Sequence, residues 1–299
     1  MLLSELSNLW IESRRMAGVR KLTLAHYRNA SRTFVDMVGG RPSSTVTLDD
    51  IVNIKRVLQN RYTPYSALNR LTVSIAIIRH GQNIGEIPMF AIPRDARKLR
   101  KGAPFRRIYQ RSEIENMLKI ADPTLKACIL LGLNLGYGNH DCGRLRSSHI
   151  CGSLVDMVRD KTGVERRGWL WPQTLDALSE VGLPLKNLKG KAIVSERGDY
   201  LGPRFRRLMV RAGVEQNGRG FYSMRRTYRT AVDTHPDMPA IDLTMGHTTP
   251  GMGARYVAWI SDERLRAVSV HARASIFGEG SERDVVVRPP AVRTLAATV

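Results

Sequence analysis

Cysteine is scarce: there are three in 299 residues, Cys128, Cys142 and Cys151, an odd number with no C-x-x-C pair. That excludes a disulfide framework and the usual thiolate zinc sites, and it suits a reducing compartment. Long apolar runs are missing as well. The longest, Ala127 to Leu133, falls far short of the roughly 20 residues that span a bilayer. The opening MLLSELSNLW has no basic stretch ahead of a long apolar one, so a secretory leader is not expected. No membrane partner is implied, and the expected location is the cytoplasm. Negative charge is the third deficit: 27 Asp and Glu stand against 47 Lys and Arg, a formal net charge of +20. An excess of this size attracts polyanions by releasing their condensed counterions, and nucleic acid is the commonest of them.

What is present is ordinary globular material, 42% hydrophobic, with enough length for two domains that each bury a core. The first ninety or so residues read as four helices. Leu6, Leu9, Trp10 and Ile11 share one face, and Leu24, Tyr27, Ser31, Phe34, Val35 and Val38 share a second. Gly39-Gly40 stops that helix, Thr47 caps a third, and a fourth runs from about Tyr65 to Asn83 with Leu68, Leu71, Ile75 and Ile78 inward. Short connections make this a small bundle over residues 1–93. Residues 94–111 then carry eight basic side chains, Arg97, Lys98, Arg100 and Lys101 among them, against the single acid Asp95. Pro93, Gly102 and Pro104 break any continuous helix, so a basic linker lying on a phosphate backbone is expected.

The second domain, 112–277, is expected to open on a capping box at Ser112 and Glu115. Asp122-Pro123 starts an apolar helix through Leu135. Leu154 to Val158 and Gly168 to Trp171 read as strands flanking a turn, RDKTGVERR, and Ile193-Val194 as a third strand. Pro203 opens a basic helix containing Arg204, Arg206 and Arg207, which are further candidates for phosphate contact. Helices follow around Ser223 to Asp233, Pro239 to Met245 and Asp262 to Phe277. Residues 278–299 lack periodicity and are expected to be disordered. The fold class is therefore mainly α with a small β-sheet.

The last third carries the sharpest signal. GFYSMRRTYRTAV is followed by LTMGHTTPGMGARYV, and His247 stands nine residues before Tyr256. This resembles the tyrosine recombinases of the phage-integrase type, where an H-x-x-R-H-T segment precedes L-G-H and the nucleophilic tyrosine comes nine residues after that His. Arg225 and Thr227 fall on the R-x-T. Arg159-Asp160-Lys161-Thr162-Gly163 resembles the hairpin that carries the family's lysine. Leu24-Ala25-His26-Tyr27-Arg28 and Asn69-Arg70-Leu71 resemble its helical core-binding domain. The resemblance runs from about residue 4 to 277. It implies a core-binding domain and a mixed α/β catalytic domain closing on duplex DNA, working as a homo-oligomer on paired sites, associated with the nucleoid when bound.

By that resemblance Tyr256 attacks a phosphodiester, Lys161 protonates the leaving oxygen, and Arg225 meets the charge on the non-bridging oxygens. His247 donates a hydrogen bond to the phosphate or positions the tyrosine. No metal or cofactor is implied, since the arginines and lysine carry the charge stabilisation. The sequence also departs from the pattern. The family's first arginine belongs to T-G-L-R-x-x-E-L, and LGYGNHDCGRLRSSHI puts Gly138 in its place, with Asp141 at the acidic position and Leu145 at the hydrophobic one. The first His of H-x-x-R is Tyr222, whose hydroxyl still offers a hydrogen bond, and the second is Arg226. Arg226 and Arg229 are candidates to lend a guanidinium. Arg144 and Arg146 lie closer in sequence, without an evident route to the phosphate. Two other readings stay open: an impaired relative acting as a DNA-binding accessory or regulatory protein, and a basic partner of structured RNA. A relaxing topoisomerase with the same chemistry fits the short chain less well.

Overall fold

The computed structural model describes residues 1–99, 107–159, 163–187, 189–195, 198–247 and 259–278. The chain divides into two compact units, Met1–Pro104 and Phe105–Val299. The first is helical: α1 (Leu3–Met16), α2 (Lys21–Val38), α3 (Leu48–Arg61), α4 (Pro64–Asn83) and one short turn, α5 (Arg94–Arg97). Its core is the apolar stripe of each long helix, with Leu3, Leu6, Phe34, Ile51, Leu58, Leu71, Ile77 and Ile78 out of solvent. Leu9, assigned inward by periodicity, is instead 43% exposed. Asp50 fixes the start of α3 by accepting the Thr47 N–H at 2.8 Å. Within the stretch expected to link the domains, Ala96 and Leu99 pack into this core, while Arg97 and Lys98 are exposed. Arg100 and Lys101 lie outside the described residues.

The second unit is built around α7 (Pro123–Leu135), which is buried nearly all round. An apolar helix without a polar face has to sit inside. Around it pack α9 (Pro172–Val181), α11 (Tyr222–Ala231) and α13 (Asp262–Phe277). A three-stranded antiparallel sheet runs β1 (Ile150–Cys151), β2 (Leu154–Arg159), β3 (Val164–Trp169), with Arg159 opposite Val164 at the hairpin end. β4 (Val194–Ser195) and β5 (Gly198–Asp199) form a separate ribbon. The remaining helices are α6 (Arg111–Ile120), α8 (Asn139–Arg144), α10 (Leu201–Arg211) and α12 (Met238–Met245).

Three expectations are corrected. The capping box of α6 is two residues earlier, where Glu113 rather than Glu115 accepts the Gln110 N–H at 2.9 Å. Glu113 is also the ion-pair partner of Arg219, at 2.7 Å. The second strand of the hairpin begins at Val164, so Glu165-Arg166-Arg167 is strand rather than turn. Two adjacent arginines suggest solvent, but β3 packs against both α12 and α13, and both arginines are buried. The third strand of the sheet is β1, and the segment around Val194 pairs elsewhere.

Candidate active site

The site is assembled where the C-terminal end of α7, the start of α8, the β2–β3 hairpin, the start of α11 and the end of α12 meet. α7 ends at Gly136 with φ 62°, and a Cβ there would stand 2.9 Å from the Tyr228 ring. α12 ends at Gly246 with φ 61°, its Cβ position 3.1 Å from Arg159 Cδ. Both helices thus turn out of their last carbonyls at positions that only glycine fills without strain. Those carbonyls become acceptors for the arginines.

Arg225, 3% exposed, is the centre of this set. Its Nη1 donates to Gly136 O at 2.6 Å and its Nη2 to Met245 O at 2.8 Å. Nη2 also lies 2.7 Å from His247 Nε2. An arginine only donates, so Nε2 is the acceptor and the ring proton sits on Nδ1, 3.6 Å from Asp242 Oδ1. Burial first, then the neighbouring Arg225, hold His247 below its ordinary pKa of 6.5, which keeps the imidazole neutral at pH 7. Burial, then Arg166 and Arg159, bring Arg225 down to about 10, still charged at neutral pH.

A second arginine, unnoticed in the sequence, organises the same region. Arg166 is 1% exposed, lies over the Tyr137 ring at 3.8 Å, and donates to Thr244 O and Leu135 O, both at 2.9 Å. Its Nη1 pairs with Asp141 Oδ2 at 2.9 Å. That oxygen also accepts the Gly138 N–H at 2.8 Å. Burial alone would raise the Asp141 carboxyl, but Arg166, the Gly138 N–H and Arg159 outweigh it and the net direction is down. The next residue, Arg167, pairs with Asp262 at 2.9 Å, reaches Ile260 O at 3.5 Å, and lies 4.0 Å over the Trp259 ring. Adjacent residues of β3 therefore hold Thr244 and Ile260, which flank the stretch containing Tyr256.

Of the residues singled out in the sequence, the fold brings Arg225, His247 and Tyr222 to one place. Tyr222 is 53% exposed, its ring 3.7 Å from the Cβ position of Gly138. Tyr256 and Lys161 lie outside the described residues. Arg204 is tied to Asp122 at 2.9 Å, whereas Arg206 and Arg207 are exposed. Arg206 lines a cleft with Asn139, Tyr222 and Arg226. Arg159, Arg166 and Asp242 were missed. The only signal for the arginines was their unexplained density beside a strand.

The chain is similar in structure to a lambda integrase dimer bound to a COC′ core site, at 14% identity and a TM-score of 0.71, over 87% of this chain and 98% of that one. A lambda integrase tetramer bound to a Holliday junction gives 13% identity and 0.71, over 87% of this chain and 80% of that one. The Tn1549 transposon integrase in complex with transposon right end DNA gives 15% identity and 0.65, over 89% and 98%. The fold is that of a tyrosine recombinase. No protein-family model and no curated protein sequence matches the chain. Within a tyrosine-recombinase fold, Gly138 at the start of α8 faces the Arg225–His247 pair from across Asp141, and it brings no side chain of its own.

Proposed function

We propose that this chain is a DNA-binding site-specific recombinase or integrase that breaks and rejoins DNA through a 3′-phosphotyrosyl intermediate. The observation that carries the reading is the 2.7 Å contact between Arg225 and His247. Two motif residues far apart in sequence meet in a buried, cationic site, in a fold whose similar structures include integrases bound to DNA.

Tyr256 Oη bonds to phosphorus while the P–O5′ bond breaks, leaving the 3′ end on the tyrosine and a free 5′-hydroxyl. The phenol gives its proton to water, and the Lys161 ammonium supplies one to the departing 5′ oxygen. A 5′-hydroxyl from the same or another strand reverses the step without ATP, because the phosphoester energy is conserved in the intermediate. Arg225 donates to the non-bridging oxygens, His247 holds its guanidinium in place, and the Tyr222 hydroxyl adds a donor at the exposed edge. Arg97, Lys98, Arg100, Lys101, Arg206 and Arg207 contact phosphates away from the reacting bond, with Arg204 anchoring the helix that bears the last two. Strand exchange requires two duplexes, so the working form is a homo-oligomer on paired sites.

Gly138 favours a second reading, a DNA-binding accessory protein with little or no strand cleavage. Covalent trapping separates the two. A duplex sequence selected by the protein from random DNA, nicked so that the cleaved fragment diffuses away, should give a protein–DNA band that survives denaturation. The band should be absent in Tyr256→Phe. Tight binding with no adduct at any nick position selects the accessory reading.

A further inference from the structure

The strand-transfer reading leaves a gap at position 138, and the structure offers a side chain for it. We propose that Arg159 supplies the guanidinium that this position lacks and meets the charge on the reacting phosphate; the proposal rests on the reading above. Arg159 ends β2, two residues before Lys161, and its side chain is 17% exposed. Its stem runs across Gly246, with Cδ 3.1 Å from the glycine's Cβ position, and its Nη1 lies 3.4 Å from Gly246 O. Its Nε faces Asp141 Oδ1 at 3.8 Å. The other oxygen of that carboxylate accepts the Gly138 N–H and is 3.4 Å from the Cβ position of Gly138. Asp141 therefore stands between the missing side chain and Arg159. The carbonyls of Met245 and Gly246 are held by Arg225 and Arg159 respectively.

What distinguishes Arg159 is how little of its fork is spent. Arg166 makes two hydrogen bonds and an ion pair at 2.9 Å, and Arg225 three contacts between 2.6 and 2.8 Å. Arg159 Nε is buried with no hydrogen-bond partner among the described residues. A guanidinium removed from water and loosely met is costly, and an anion between it and Arg225 offsets that cost. Mutual repulsion points the same way: Arg159 and Arg166 both push the Arg225 pKa down. The alternatives are engaged elsewhere. Arg229 is bound to Asp233 at 2.6 Å, and Arg146 caps the carbonyls of Gly143 and Leu145. Arg226 lies over the Tyr222 ring at 5.8 Å and is the competing candidate.

The test measures the rate of covalent adduct formation on the nicked, selected duplex for the full chain. Arg159→Ala and Arg159→Met, the latter keeping the stem over Gly246, should each slow it by about 10²–10³. Duplex affinity and melting temperature should stay near those of the parent. Adding Gly138→Arg to Arg159→Ala should restore much of the rate. On a duplex whose scissile linkage is an uncharged methylphosphonate, parent and Arg159→Ala should converge, because the charge that Arg159 meets is gone. An unchanged rate in both Arg159 variants, a loss confined to Arg226→Ala, or an equal loss on the methylphosphonate would overturn the assignment. So would an inactive parent that becomes active with Gly138→Arg. If parent and Gly138→Arg are both silent on DNA they bind, the strand-transfer reading itself fails, a different result from any of these.

Discussion

At the scale of single residues, the second unit depends on charges it has buried. Arg166 and Asp141 form a pair whose other bonds run to Thr244 O, Leu135 O and the Gly138 N–H. Removing one partner leaves the other uncompensated in a poorly solvated place, which costs about 3–5 kcal/mol. Arg166→Met should show that loss in urea unfolding, and Arg166→Met with Asp141→Leu should recover part of it. A single variant as stable as the parent would mean the pair is not buried as described. Histidines set the acid side. His80, His235 and His247 are each held below 6.5, chiefly by burial. Below pH 6.5 the unfolded chain therefore takes up protons that the folded chain resists, and stability falls as pH drops from 7 towards 5. His247→Gln should reduce that fall in melting temperature. A profile flat across this range in the parent would contradict the shifts. The carboxyl of Asp141, shifted down, adds its own loss only at lower pH.

At the scale of elements, α10 separates two uses of arginine. Arg204 pairs with Asp122, which also caps α7 by accepting the Leu125 N–H at 3.1 Å. Arg206 and Arg207 are exposed. Arg206→Ala with Arg207→Ala should weaken duplex binding and lower the slope of log affinity against log salt by about two, one for each lost phosphate contact. Arg204→Ala should lower the melting temperature and leave the slope unchanged. Equal slopes in all three proteins would remove α10 from the DNA surface. The same contrast shows what the sequence could and could not tell. Periodicity and caps located α1 to α4, α7 and α13, because an apolar stripe or an Asp-Pro start is a local signal. Leu9 went wrong since the stripe does not say how far burial extends around a helix. β3 began four residues too late because Glu165-Arg166-Arg167 reads as solvated, and only packing by α12 and α13 makes it buried strand. The Arg225, His247 and Tyr222 set was legible through motif spacing. Arg159, Arg166 and Asp242 were not, since their roles depend on which carbonyls and carboxylates the fold brings beside them.

At the scale of the whole molecule, each compact unit has its own closed apolar core. Residues 1–104 and 105–299 expressed separately should each show a cooperative unfolding transition, and a non-cooperative melt in either would show that it borrows its core from the other. The net charge of +20 makes duplex binding steeply dependent on salt, so affinities are comparable only at a fixed ionic strength. No described helix is long and apolar enough to cross a membrane. What the molecule does with bound DNA rests on one bond. Its most direct measurement is mass analysis of the peptide that carries nucleotide after the trapped adduct is digested with protease and nuclease. The account predicts a 3′-phosphonucleotide on the peptide containing Tyr256, formed slowly and lost in Tyr256→Phe. Nucleotide on a different residue, or none on any peptide after incubation with DNA the protein demonstrably binds, would contradict it.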